Sequence, residues 1–182
     1  MAPDDRDRLR ALAHPLRLRI LSLLTGADLT AADVARELGT THANASYHLR
    51  FLENAGEVVV SGEETIRGGR AKRYRHHWRG VEGSAGSARA PGATPGERRE
   101  AADLFVRAAA GEVQRRYAER VPDSGGLVTD AELWVDDDTW ARARALLEEA
   151  SALVHDRALP PRTEGARRVG VSLFAFEMGE RA

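Results

Sequence analysis

The 182-residue chain is 42% hydrophobic and 30% charged, with a formal net charge of −1 and no cysteine, the profile of a soluble globular protein of one ordinary domain or two small ones. Lack of cysteine rules out disulfides, thiolate metal sites and cysteine nucleophiles. No run approaches the roughly 18 consecutive apolar residues of a membrane span, and the opening MAPDDRDRLR is no basic patch leading into an apolar stretch, so a cytoplasmic protein is expected.

The small net charge conceals an asymmetry. Residues 1–80 carry 13 Lys and Arg against 10 Asp and Glu, whereas residues 81–182 carry 14 against 18, so the front half is the one suited to a polyanion. Residues 4–14 predict a short helix with an acidic start, which suits the positive end of the helix dipole. His14 precedes Pro15; a residue before proline is pushed out of the helical region, and proline is at ease in a first helical turn, so a second helix begins at Pro15. Its stripe is Leu16, Ile20, Leu23 and Leu24, and it stops at Gly26. A third helix starts at the N-cap Thr30, with Asp33 completing a capping box, and ends at Gly39.

About two residues later a fourth helix begins at Thr40 or Thr41 and runs to Gly56, burying Ala45, Leu49 and Leu52. Two short helices joined by so tight a glycine-bearing turn make a helix-turn-helix. Two strand-like runs, EVVVSG and AKRYRHHW, then flank a loop with two glycines, a basic hairpin in the position of a wing. The fourth helix has no Lys, Arg, Asp or Glu between Thr41 and Tyr47. A helix entering the major groove needs small residues for close approach and short or flat groups for base edges, and it cannot carry carboxylates toward phosphate. Thr41, His42, Ala43, Asn44, Ser46 and Tyr47 meet that demand. Asn44 has the geometry to pair with adenine, His42 and Tyr47 to meet a base edge or a phosphate, and Arg50 to hold guanine or backbone. Arg67, Arg70, Lys72 and Arg73 of the wing are the expected phosphate contacts.

ALAHPLRLRILSLL, TAADVARELGTTHANASYHLRFLENAGEV and the basic hairpin, taken together over roughly residues 5–80, resemble the ArsR-type winged helix-turn-helix repressors of bacteria. The resemblance implies a dimeric DNA-binding transcription factor, usually a repressor released by an effector. Family members that sense metals do so through cysteines on the helix before the recognition helix, or through His and acidic residues on the last helix. Here the first segment is LTAADVARELG and the second, ERREAADLFVRAAAGEVQRRYAERV, has no His, so no metal site is expected.

Residues 79–96, rich in Gly, Ser, Ala and Pro, predict a flexible linker between a DNA-binding domain at 1–78 and a C-terminal module at 97–182. The module opens on a long helix in which Phe105, Ala109, Val113 and Tyr117 recur every four residues, a stripe suited either to a subunit seam or to packing within its own module. A strand at GLVTDAELWV, a helix over about 138–156 and a last strand at RRVGVSLFAFEM give an α+β class, with a layer able to bind a small-molecule effector, stabilise a dimer, or both. Trp134 and Trp140 read first as core anchors, with the lining of an apolar ligand pocket as the alternative.

His76 and His77 are adjacent in a strand and point to opposite faces, so they do not converge on an ion. Neither a phosphate-cradling glycine motif nor a GxSxG elbow occurs, so no enzyme and no cofactor is expected. The expected function is a homodimeric repressor that reads a palindromic operator in double-stranded DNA and acts by promoter occlusion. The alternative is a winged-helix protein-interaction module whose basic wing is incidental.

Overall fold

A computed structural model describes residues 5–66, 69–76, 78 and 94–179. The elements are α1 (Asp5–Leu12), α2 (Pro15–Gly26), β1 (Leu29–Thr30), α3 (Ala31–Leu38), α4 (His42–Asn54), β2 (Val58–Ile66), β3 (Gly69–His76), α5 (Pro95–Ala118) and α6 (Asp137–Asp156). The class is α+β, as expected.

The break between α1 and α2 falls at the His-Pro step. His14 is extended, Pro15 opens α2, and the His14 ring accepts the Leu16 amide at 3.1 Å. Arg17 then turns back on α1: its guanidinium donates to the Ala11 carbonyl and, at 2.7 Å, to that of Arg10. Those carbonyls are the orphan acceptors of a helix end, where a cation also complements the dipole. The α1–α2 corner is thus fixed by one buried side chain.

Asp33 caps α3 reciprocally with Thr30, whose hydroxyl accepts the Asp33 amide at 3.2 Å while the Asp33 carboxylate accepts the Thr30 amide at 3.1 Å. Gly39 ends α3 in the left-handed conformation at φ 62°, which costs a residue without a Cβ least. Thr41 caps α4 by accepting the Asn44 amide at 3.2 Å. The recognition helix therefore leaves α3 after three residues in a fixed direction. Its fully buried Leu49 and Leu52 join Ile20, Leu24, Val34 and Val58 in one core, each large aliphatic contributing about 1.5–3 kcal/mol by burial.

The hairpin β2–β3 is antiparallel from Val58 opposite His76 to Ile66 opposite Gly69, with a bulge between Val60 and Gly62, and β1 adds to the far edge of β3. Tyr74 on β3 is buried in the common core, which ties the wing to the helices.

The second half of the chain departs from the sequence reading in the stripe of α5 and in the two expected strands. Most of the expected linker, residues 79–93, lies outside the described residues; its last residues are structured, because Thr94 caps α5 through a capping box with Glu97 and Pro95 occupies the first turn. The stripe of α5 is also divided. Ala101, Ala108 and Ala109 are buried where α5 packs on α1 and α2, whereas Val113 and Tyr117 are exposed. Alanines let helices approach closely, so α5 joins the N-terminal fold.

The second difference concerns the two expected C-terminal strands, 126–135 and 167–178, which are extended but belong to no sheet. Helix α6 between them buries none of its residues. The chain nevertheless returns to the N-terminal fold at residues 159–162. A Cβ at Gly26 would collide with the Leu159 carbonyl, and Arg162 meets Glu37 of α3 at 3.3 Å. Gly26 is thus required by close approach.

Candidate nucleic-acid interface

The first two turns of α4 face outward. His42, Ala43, Asn44, Tyr47 and Arg50 are exposed, Ser46 is half-buried, and Ala45, His48 and Leu49 point into the core. The expected base-contacting residues therefore share one accessible face. Thr41 is exposed as well, with its hydroxyl engaged as the helix cap. Asn44 is oriented before any ligand arrives, since its side-chain amide donates to the Thr40 hydroxyl at 2.9 Å. The exposed N-terminus of α4 points its free amides and the positive end of its dipole outward, an arrangement favourable to phosphate.

A ring and cation cluster supports this face from below. His48 is buried and stacks on His14 with ring centroids 4.6 Å apart; Tyr47 meets His48 edge-on at 5.1 Å. The Arg17 guanidinium lies 4.5 Å over the Phe51 ring, a cation–π contact. Arg17 thus connects the α1 carbonyls to the recognition helix.

The wing is more balanced in charge than its sequence suggests. Arg70 meets Glu63 at 2.6 Å and Lys72 meets Glu53 at 3.1 Å, both with exposed cations. Arg73 is half-buried and divides its donors between Glu64 and the Asp28 carbonyl, and Arg75 reaches the Asp28 carboxylate at 2.5 Å. Arg67 lies outside the described residues. Cross-strand pairing sets Glu63 beside Lys72 and Glu64 beside Ala71, so acids of β2 lie among the cations of β3.

A helix-turn-helix domain model matches residues 12–58. The chain is 40% identical over 50 residues to the transcriptional repressor SdpR of Bacillus subtilis, covering 28% of this chain and 54% of that protein. It is 43% identical over 51 residues to the HTH-type transcriptional regulator NmtR of Mycobacterium tuberculosis, covering 28% and 42%, and 42% identical over 65 residues to the HTH-type transcriptional regulator CmtR of the same species, covering 36% and 51%. The N-terminal portion is a winged helix-turn-helix domain similar to those of ArsR-type regulators. The chain spans about half the length of the curated relatives it matches.

Within the helix-turn-helix domain, the residues that sequence reasoning missed are Arg17 and His14, which touch no candidate DNA-facing group except through Phe51 and His48. The available signal was an arginine placed among apolar positions right after the His-Pro step. Among the described residues, no group of three His, Asp or Glu side chains is placed to hold a metal ion, and no helix is long and apolar enough to cross a membrane.

The histidine pair has a consequence for pH. Burial and then the nearby Arg17 charge lower the pKa of His14; burial, His14 and Arg17 lower that of His48. In the unfolded chain both imidazoles take up protons near the ordinary value of about 6.5. Between that value and the lowered folded ones the unfolded state binds more protons, so stability falls as pH drops through this window and levels off below it. The unfolding midpoint in urea is expected to fall between pH 7.5 and 5.5, and His48→Leu to make that fall shallower. Equal falls in the two proteins would remove His48 as a contributor.

Proposed function

We propose that this chain is a sequence-specific DNA-binding transcriptional regulator, a homodimer that represses by occupying a palindromic promoter site. The observation that carries the reading is the exposed, carboxylate-free face of α4, with Asn44 already oriented, on a rigid helix-turn-helix. The relatives support it in kind, since one is a transcriptional repressor and two are HTH-type transcriptional regulators. The ArsR-type domain acts as the reading head, and the residues after the linker supply dimerisation and the route for any small-molecule effector. Dimer contacts extend along α5 through Phe105 and the exposed Val113 and Tyr117, whereas Ala109 is taken up by the packing of α5 on α1 and α2. A chain without cysteine has no thiolate with which to sense a metal, so DNA binding is expected to be indifferent to chelators. A cytoplasmic location and the absence of enzymatic activity follow from the same role.

Selection of bound sequences from a random duplex pool, with and without EDTA, tests the reading. A two-fold symmetric site enriched equally in both conditions is the expected result, with half-sites about one helical turn apart or a multiple of it. No enrichment in either condition would reject sequence-specific reading by the chain alone.

Arg70 and Lys72 are proposed as phosphate contacts, and Arg73 as a brace between the wing and the β1 edge. Each neutralised phosphate contributes about 0.9 to the slope of log affinity against log salt. Arg70→Ala with Lys72→Ala should therefore reduce the slope by roughly 2 and weaken all sequences alike. An unchanged slope in a fluorescence-anisotropy titration would remove the wing from the interface.

A second reading has its own observation. Arg70, Lys72, Arg73 and Arg75 each meet an acidic side chain within the protein, which is what a protein-interaction module with an incidentally basic wing would display. Salt dependence separates the two: DNA binding must weaken steeply with added salt, whereas undetectable duplex binding at low salt favours the module.

A further inference from the structure

We infer that residues 127–135 and 167–178 are strands completed by a second copy of this chain, each pairing antiparallel with the other segment of that copy. The inference rests on the homodimer proposed above and assigns it a second, strand-exchanged contact distinct from α5.

Both segments are extended and outside the only sheet among the described residues, and both expose large apolar side chains. Leu127 is 90% exposed, Trp134 92% and Phe176 67%. Extended backbone with such side chains in water is a pairing edge, which stable proteins cover. Their alternation is complementary. In the first segment Leu127, Ala131, Leu133 and Val135 lie on one face; in the second, Val169, Val171, Leu173 and Ala175 do.

Charge sets the direction. The first segment runs into Asp136, Asp137 and Asp138, and the second begins at Arg167 and Arg168 and ends near Glu177. Parallel pairing would place Glu177 beside the aspartates and leave the arginines at the far end. Antiparallel pairing with Asp136, the N-cap of α6, opposite Arg168 joins opposite charges; within its own chain Arg168 also meets Glu119. The same register sets Val135 against Val169, Leu133 against Val171, and Trp134 over Gly170. Residues directly opposite share a face, so over residues 131–136 against 168–173 one register satisfies both charge and apolar alternation.

One chain cannot readily make this pair. A strand–helix–strand crossover within one sheet joins parallel strands, the direction opposed by the charges. The second segment is moreover held elsewhere: Arg116 of α5 donates to the Val171 carbonyl and the Ser172 hydroxyl, both at 3.3 Å, and Glu177 accepts from the Trp140 indole at 3.0 Å. A two-fold axis supplies the antiparallel partner twice, once for each segment. Because residues 159–162 touch α2 and α3, the exchanged layer would bear directly on the spacing of the two recognition helices.

The natural absence of cysteine makes the test direct. The full-length double variant Val135→Cys, Val169→Cys is oxidised and run on a non-reducing gel, and wild-type mass is measured in parallel by sedimentation equilibrium. Opposite residues of an antiparallel pair have Cα atoms about 4.5–5.5 Å apart, within disulfide range. The expected result is conversion to a covalent species of twice the chain mass, restored to single-chain mass by reductant. Mixing the two single variants should give the same species, and a mixture of Val135→Cys with Leu146→Cys, placed on α6 outside the proposed ladder, should not. An internal disulfide at single-chain mass would overturn the exchange. A dimer by sedimentation without the disulfide would overturn it while leaving the homodimer intact, and a monomer would overturn both.

Discussion

Replacing Arg17 with alanine is expected to lower the unfolding free energy by about 2–4 kcal/mol, because it removes charged hydrogen bonds and a cation–π contact at a buried position. Arg17 is 8% exposed, and its guanidinium donates to the Ala11 and Arg10 carbonyls and covers Phe51. Alanine would leave both carbonyls at the end of α1 without that donor and open space beneath the recognition helix. Arg17→Lys keeps the charge but not the fork, so it should recover only part of the loss. Urea unfolding followed by circular dichroism reads the difference. A loss below about 0.5 kcal/mol, the level of ordinary surface substitutions, would show that the α1–α2 corner is held by apolar packing alone. Since α5 packs on α1, the same variant should also loosen α5, seen as faster amide exchange in both helices.

Local rules made the front of the chain legible. The His-Pro step, the Thr30–Asp33 capping box, Gly39 and the Thr41 cap each act through a few neighbouring residues, and such signals survive without tertiary information. The outward face of α4 was readable for the same reason, as helical spacing alone separates Ala45 and Leu49 from Asn44 and Tyr47. Long-range pairing was not readable. Glu53, Glu63, Glu64 and Asp28 meet the wing cations only after the hairpin folds, so a basic run in sequence became a set of ion pairs in space. The stripe of α5 carried no mark of which turns face α1, and alanine suits a close intramolecular contact as well as a subunit seam. The two C-terminal segments have the alternation of strands, but alternation cannot say that the partner strand lies within the same chain.

Substituting Asn44 with alanine should cost about 1–3 kcal/mol on the cognate site, a loss of roughly 5- to 150-fold, with little change on random duplex. The side-chain amide has two hydrogens and one carbonyl oxygen. One hydrogen already points to the Thr40 hydroxyl at 2.9 Å, which leaves the second hydrogen and the oxygen for N7 and N6 of an adenine. The free protein thus holds the amide in place, and little side-chain entropy remains to be lost on binding. Thr40→Val should accordingly weaken cognate binding by a smaller factor without changing which base is preferred. Folding is not expected to suffer from Asn44→Ala: the position is exposed, alanine is the better helix former, and the Thr41 cap uses the backbone amide of residue 44, not its side chain. Competition titrations against cognate and random duplexes separate the outcomes. Equal losses on both would make Asn44 a backbone contact, and selection of the same operator by the variant would show that another residue of the face reads that base.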